Sequence, residues 1–286
     1  MTTLRRLLVT VLVFISVALA GKGPANPPFF FIQMADPQFG MYTGDRGFEQ
    51  ETKNFEFVIA AANRLRPAFV VVCGDLVNRV GDPEQIAEYL RIAGQLDPDI
   101  PLYNVPGNHD VGNVPTPKTL ADYRNTFGPD YYTFQANGAI GFVLDSSLIS
   151  NPTGAPREAE QQEAWLRAEL EKAKKAGYHR LFVFQHHSLF LTDPNEADQY
   201  FNIPRARRRV YLDLFEKYGI SHVFAGHYHR NALGRSGGLE MVTTGPVGKP
   251  LGRDPSGVRV VIVRDTGVEH QYYGFDSIPD SLDLDK

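Results

Sequence analysis

Short apolar runs at residues 29–34, 69–73 and 101–105 alternate with two amphipathic stretches at residues 48–65 and 83–96. The runs are rich in Phe and Val and too short for buried helices, so they read as strands covered on both faces. In the first amphipathic stretch Phe48, Phe55, Val58, Ile59 and Ala62 share one helical face, and the second places Pro83 at an early helical position. This β-α-β-α-β order predicts parallel strands with right-handed crossovers, and therefore an α/β fold.

The alternation continues with strands at 140–144, 181–185 and 222–225. A long helix over 157–176 carries Leu166, Leu170 and Ala173 as a buried stripe. The end of the chain differs: residues 239–243, 258–263 and 268–273 are short apolar runs with Gly-containing turns, which predicts a meander. With 286 residues, no internal repeat and no low-complexity block, one large domain is expected over residues 28–279, followed by a polar tail. Cys73 is the only cysteine, so no intrachain disulfide forms, and at a strand end it reads as a small buried hydrophobe. The net charge of −4 argues against a general nucleic-acid-binding surface.

Residues 1–20 have the three parts of a signal peptide: Arg5 and Arg6, the apolar run 7–19, and the small-x-small site Ala18-Leu19-Ala20. They predict an exported protein, periplasmic or secreted, that begins at Gly21 and has no stable membrane association. An uncleaved N-terminal membrane anchor is the alternative, although the run is short of the ~20 apolar residues a span needs. Residues 21–28, rich in Gly, Pro and Asn, read as a flexible leader.

Five polar clusters each directly follow an apolar run: Asp36-Pro37-Gln38, Gly74-Asp75-Leu76-Val77-Asn78, Gly107-Asn108-His109-Asp110, His186-His187 and Gly226-His227-Tyr228-His229. Parallel α/β sheets bind ligands at the carboxyl ends of their strands, so five distant segments can converge there. Taken singly, each cluster has an ordinary explanation, since Asp and Asn cap helices and turns. Capping does not require histidines at three strand ends, however, and Asp, Asn, Gln and His together form an N/O donor set suited to divalent transition metals.

These motifs, in this order and over nearly the whole mature chain, resemble the calcineurin-like metallophosphoesterases. The stretches 123–134 and Leu144-Asp145-Ser146 are also similar to that family. The runs D-P-Q-F-G, C-G-D-L-V, F-Q-H-H, Y-F-N-I-P and G-H-Y-H-R-N-A resemble its subgroup of the calcineurin-like phosphoesterase domain-containing protein 1. The resemblance implies a four-layer α/β/β/α sandwich that holds two divalent cations (Mn, Fe, Zn or similar). It makes Asp75 the bridging ligand, assigns Asp36 and His229 to one metal, and assigns Asn108, His186 and His227 to the other. Gln38 stands where the wider family has His; its carbonyl oxygen can ligate a hard cation, more weakly than imidazole. His186 is the expected ligand of its pair, with His187 contacting substrate or supporting a ligand. His109 is expected to assist the leaving group as a general acid or by charge, with Asp110 orienting it.

The implied chemistry is hydrolysis of phosphate monoesters by a water that the metals activate, with Ser/Thr phosphoproteins as one substrate class. A phosphodiesterase acting on nucleotides or glycerophospho-compounds uses the same metal core. A non-catalytic metal- or phosphate-binding module is the alternative of another kind, but binding alone does not call for His109 beside a ligand. Two flanking polar residues, Asn78 and Arg230, are candidates for phosphate contact, Asn78 equally for holding its loop. Residues 190–204 read as a loop shaping the substrate pocket. The run Arg205, Arg207, Arg208 and Arg209 reads as the solvated face of a helix reaching Tyr218, with recognition of an anionic substrate as the alternative.

Overall fold

The computed structural model describes residues 27–284. The expected signal peptide, its anchor alternative and most of the leader lie outside the described residues. Among the described residues no helix is long and apolar enough to cross a membrane.

In chain order the elements begin with β1 (Phe29–Met34), α1 (Glu49–Leu65), β2 (Val70–Cys73), α2 (Pro83–Ala93) and β3 (Leu102–Val105). There follow α3 (Asn108–Val111), α4 (Pro117–Phe127), β4 (Tyr132–Ala136), β5 (Ala139–Val143) and α5 (Ser146–Ser150). The second half holds α6 (Pro156–Lys175), β6 (Leu181–Phe184), α7 (Arg205–Tyr218) and β7 (His222–Ala225). It ends with β8 (Ala232–Ser236), β9 (Leu239–Thr243), β10 (Gly257–Arg264) and β11 (Gly267–Gly274).

Two sheets form, with strand orders β11-β10-β1-β2-β3 and β4-β5-β6-β7-β9-β8. The pairs β1–β2 and β2–β3 are parallel, as the alternation predicts, and so are β5–β6, β6–β7 and β7–β9. Side chains alternate across each strand with period 2. In β1, Phe29 and Phe31 enter the core between the sheets, while Phe30, Ile32 and Met34 meet the α1 and α2 side. The inter-sheet core is aromatic: Phe31 stacks on Phe69 at 4.6 Å, and Phe184 on Phe224 at 5.4 Å. The stripe Leu166, Leu170 and Ala173 packs α6 onto the outer face of the second sheet, beside Tyr211 and Phe215 of α7. The result is the four-layer α/β/β/α sandwich.

The chain end is not one meander. β10 and β11 do form a hairpin, and β10 pairs antiparallel with β1 in the first sheet. β9 instead lies in the second sheet, parallel to β7 and antiparallel to β8. Residues 244–256 cross between the sheets, and Val247 and Gly248 donate their amides to Ala35 and Asp36 on the way. The tail also packs: Leu282 and Leu284 lie against the first helical layer.

Candidate metal centre

β1, β2 and β3 of one sheet and β6 and β7 of the other end at the same edge of the sandwich, and each is followed by one polar cluster. The backbone turns sharply there. Asp36, Gln38, Asp75, His227 and His229 all have positive φ, between 41° and 66°. Left-handed conformations in non-glycine residues carry strain and persist where the surroundings fix them. Space is equally constrained. A Cβ at Gly107 would overlap the Asp75 amide and carboxylate, and one at Gly226 would come within 2.6 Å of Asp36 Oδ2.

The side chains converge into two groups that share one member. Asp75, His186 and His227 form one, and Asp36, Asp75 and His229 the other, with ligand atoms within 4.8 Å of each other in each group. Asp75 Oδ2 lies 3.2 Å from His186 Nε2, and Asp36 Oδ1 lies 3.4 Å from His229 Nε2. Asn108 adjoins the first group, its Oδ1 3.1 Å from His186 Nε2. All six side chains are buried.

Hydrogen bonds to carbonyls fix which nitrogen of each ring is spent. His186 Nδ1 donates to Cys73 at 2.8 Å, His229 Nδ1 to Lys249 at 2.6 Å, and His227 Nε2 to Tyr200 at 2.9 Å. That leaves Nε2 of His186, Nε2 of His229 and Nδ1 of His227 free to ligate, the arrangement that a carbonyl behind the ring imposes on a metal-binding imidazole. None of these carbonyls has a side-chain signature, so residue types and spacing could not reveal them. Gln38 Nε2 donates to Asn78 Oδ1 at 3.1 Å, and its Oε1 is buried with no hydrogen-bond partner. An unpartnered buried oxygen on the residue two beyond Asp36 fits an additional metal ligand.

Charge gives the same answer. Asp36 and Asp75 are buried, and among the described residues neither pairs with Lys or Arg. Burial would raise Asp75, yet His186, His109 and His227 hold it well below the usual carboxylate range. Burial opposes the His186 cation, but Asp75 and Asp36 raise it to about 9. Burial opposes charge on His229 too, and Asp36 raises it. Burial, with His186 next, pushes His227 down to about 4. The oxygens of Asp75 and Asn108 thus surround a point that favours positive charge, and the donor set fits divalent metals.

Two expectations are corrected. Asp110 does not hydrogen-bond to His109. Its Oδ2 accepts from the Gly107 amide at 2.7 Å, and its Oδ1 from Leu76 and Val77 at 2.9 and 3.2 Å, tying two motif loops together. Consecutive helical residues point about 100° apart, so Asp110 turns away from its neighbour. The His109 ring is held instead by the Asn78 carbonyl, 2.5 Å from Nδ1. Arg208 belongs to no solvated face: it is buried and donates to the carbonyls of Ile203, Pro194 and Glu196.

The remaining candidates have mainly structural partners. Asn78 Nδ2 donates to Asp45, and Arg230 Nε to the Leu251 carbonyl. His187 lies outside both ligand groups; its Nδ1 is 2.9 Å from Ser146 Oγ and its ring packs on His227 at 4.3 Å. A third group of ligand-type residues, His222, Glu240 and His270, lies at the other end of β7.

A buried set of carboxylate, amide and imidazole donors at the strand ends of a four-layer sandwich is the architecture of a metal-dependent hydrolase. Residues 31–231 match the calcineurin-like phosphoesterase family. The chain is similar to the serine/threonine-protein phosphatase CPPED1 of Bos taurus, 41% identical over 88% of this chain and 85% of that one. It is 40% identical to the Homo sapiens CPPED1, with the same shares covered. Its fold is similar to a dimetal phosphatase from Danio rerio, with a TM-score of 0.58, 17% identity and coverage of 87% of this chain and 99% of that one. The chain belongs to the calcineurin-like phosphoesterase family, and it is a metal-dependent phosphoester hydrolase.

Proposed function

We propose that the chain hydrolyses phosphate monoesters, with phosphoserine and phosphothreonine proteins as its substrate class, at a centre of two divalent cations. The observation that carries the two-ion reading is the membership of Asp75 in both ligand groups. Asp36, Gln38 and His229 would hold one cation and Asn108, His186 and His227 the other, with Asp75 available to both. When bound, the metal pair supplies Lewis-acid stabilisation of the phosphoryl charge and lowers the pKa of the attacking water. The substrate class rests on the likeness to proteins named serine/threonine-protein phosphatase.

The protein's own groups do the rest. His109 Nδ1 donates to the Asn78 carbonyl, so Nε2 is the nitrogen left for the leaving oxygen. Donation from Nε2 requires the imidazolium form, since the other proton stays on Nδ1, hydrogen-bonded to the Asn78 carbonyl. Asp110 fixes the loop that carries His109 through three backbone amides. The signal-peptide pattern of residues 1–20 supports export, which N-terminal sequencing of the exported protein checks.

The deciding assay compares p-nitrophenyl phosphate, bis-p-nitrophenyl phosphate and a phosphoseryl peptide on protein reconstituted with Mn²⁺ or Zn²⁺. Turnover of the monoester and peptide above the diester is expected. A diester preference would replace the monoesterase reading with the phosphodiesterase one.

A further inference from the structure

The segment between β6 and α7, residues 185–204, runs past the ligand groups, and one of its residues touches two of the ligand candidates. Tyr200 accepts the His227 Nε2 proton on its backbone carbonyl at 2.9 Å and the Asn108 Nδ2 proton on its hydroxyl at 3.3 Å. Its ring lies 4.8 Å from that of His227. The side chain is 57% exposed, so core packing does not account for these contacts. The segment itself is tied down. Buried Arg208 donates to three of its carbonyls, Asn202 donates to Glu196 and Ala197, and the Glu196 carboxylate accepts the Leu191, Thr192 and Asp193 amides.

The two contacts have one chemical effect. An amide side chain offers an oxygen at one end and an N–H₂ at the other. With Asn108 Nδ2 on the Tyr200 hydroxyl, Oδ1 faces His186 Nε2 at 3.1 Å. An imidazole has one lone pair to give, and with the His227 Nε2 proton on the Tyr200 carbonyl that lone pair is on Nδ1. Asn108 follows β3 in the first sheet and His227 follows β7 in the second, so one surface residue orients donors from both.

We propose that Tyr200 is a positioning residue that preorganises Asn108 and His227, so that affinity for one of the two cations depends on a tyrosine hydroxyl outside every strand-end motif. The inference rests on the dinuclear reading above. Tyr200→Phe keeps the carbonyl and the ring and removes only the hydroxyl.

The test titrates metal-stripped wild type and Tyr200→Phe with Mn²⁺ by calorimetry and follows the spin-coupled Mn²⁺ pair by electron paramagnetic resonance. Wild type is expected to bind in two steps. Tyr200→Phe is expected to weaken one step by about 10–100-fold, the range for losing a ligand's hydrogen-bond partner, and to leave the other unchanged. The coupled signal is then lost at Mn²⁺ levels that saturate wild type, while the melting temperature of the metal-free protein stays the same. Two unchanged steps in Tyr200→Phe overturn this inference alone. A lower metal-free melting temperature with both steps weakened alike makes Tyr200 a packing residue and also overturns it. A wild type that binds a single ion overturns the dinuclear reading and, with it, this inference.

Discussion

Two clusters of histidine and carboxylate lie at opposite ends of β7. At its carboxyl end, His227 joins Asp75 and His186; at its start, His222 joins Glu240 and His270. Both span the two sheets and both bring ligand-type atoms within 4.8 Å. They differ in what faces the other side of each ring. At the carboxyl end, carbonyls take the spare N–H and leave a lone pair facing carboxylates. At the other end Arg259 Nη1 donates to His270 Nδ1, so His270 Nε2 carries the proton and donates it to Glu240 Oε1 at 2.8 Å. Arg235 also pairs with Glu240, at 2.7 Å. Arg235 thus already pairs with the one carboxylate of this second cluster and Arg259 occupies the lone pair of His270, so Glu240 and His270 are spent on clasping the sheets. Proximity of ligand-type side chains therefore does not define a metal site; the hydrogen-bond partner of the non-ligating atom does.

The largest contrast is expected from Asp75. Asp75→Ala removes the carboxylate common to both groups and should abolish two-ion binding, reducing hydrolysis to the level of metal-stripped protein. Gln38→Ala should keep at least one ion and measurable turnover. Elemental analysis with turnover assays decides, and equal losses in the two variants contradict the bridging role.

His109→Ala comes next. A leaving-group proton donor contributes about 10²–10⁴-fold, so this variant should lose that much on alkyl phosphates, less on p-nitrophenyl phosphate, and keep its metals. Metal loss together with activity would make His109 a ligand instead.

The smallest effect belongs to the second cluster. Burial lowers His222 to about 4, against an ordinary value of about 6.5. The folded state keeps this ring neutral, and as pH falls the unfolded chain takes up the proton first. Stability attributable to His222 is thus present above pH ~6.5 and lost as pH falls towards ~4, by at most about 3 kcal/mol. Urea unfolding across that window should show a flatter profile for His222→Gln than for wild type. Glu240→Gln should leave metal content unchanged, whereas a lost ion would make the second cluster a metal site.

The comparison also shows where sequence reading succeeds. The candidate ligands were legible because each sits just past an apolar run, and topology alone brings such ends together. Asp110 was misread because adjacency in sequence suggested contact, whereas the turn of α3 aims its carboxylate at Gly107, Leu76 and Val77. The edge strands β4 and β8 escaped notice because each buries only its central residue, Phe134 or Gly234, and so presents no apolar run. α4 starts with Thr116 and Pro117, a legible cap, but buries only Leu120 and Tyr123, too few for a stripe. Tyr200 opens the run Y-F-N-I-P and lies in the expected pocket loop, but its place beside Asn108 and His227 was not legible, because one of its two contacts is made by a backbone oxygen.

The origin of the donors has a mechanical consequence. Asp36, Asp75 and Asn108 extend from one sheet, and His186, His227 and His229 from the other, so each cation group draws on both leaves of the sandwich. A cation seated there would act as a rivet across a seam otherwise closed by aromatic packing, and any sliding of one leaf against the other would change the spacing of the donors. The catalytic geometry is thereby slaved to the registry of the two leaves. Phe31 and Phe184, deep in that seam, would then influence the donor spacing through the packing of the two leaves alone.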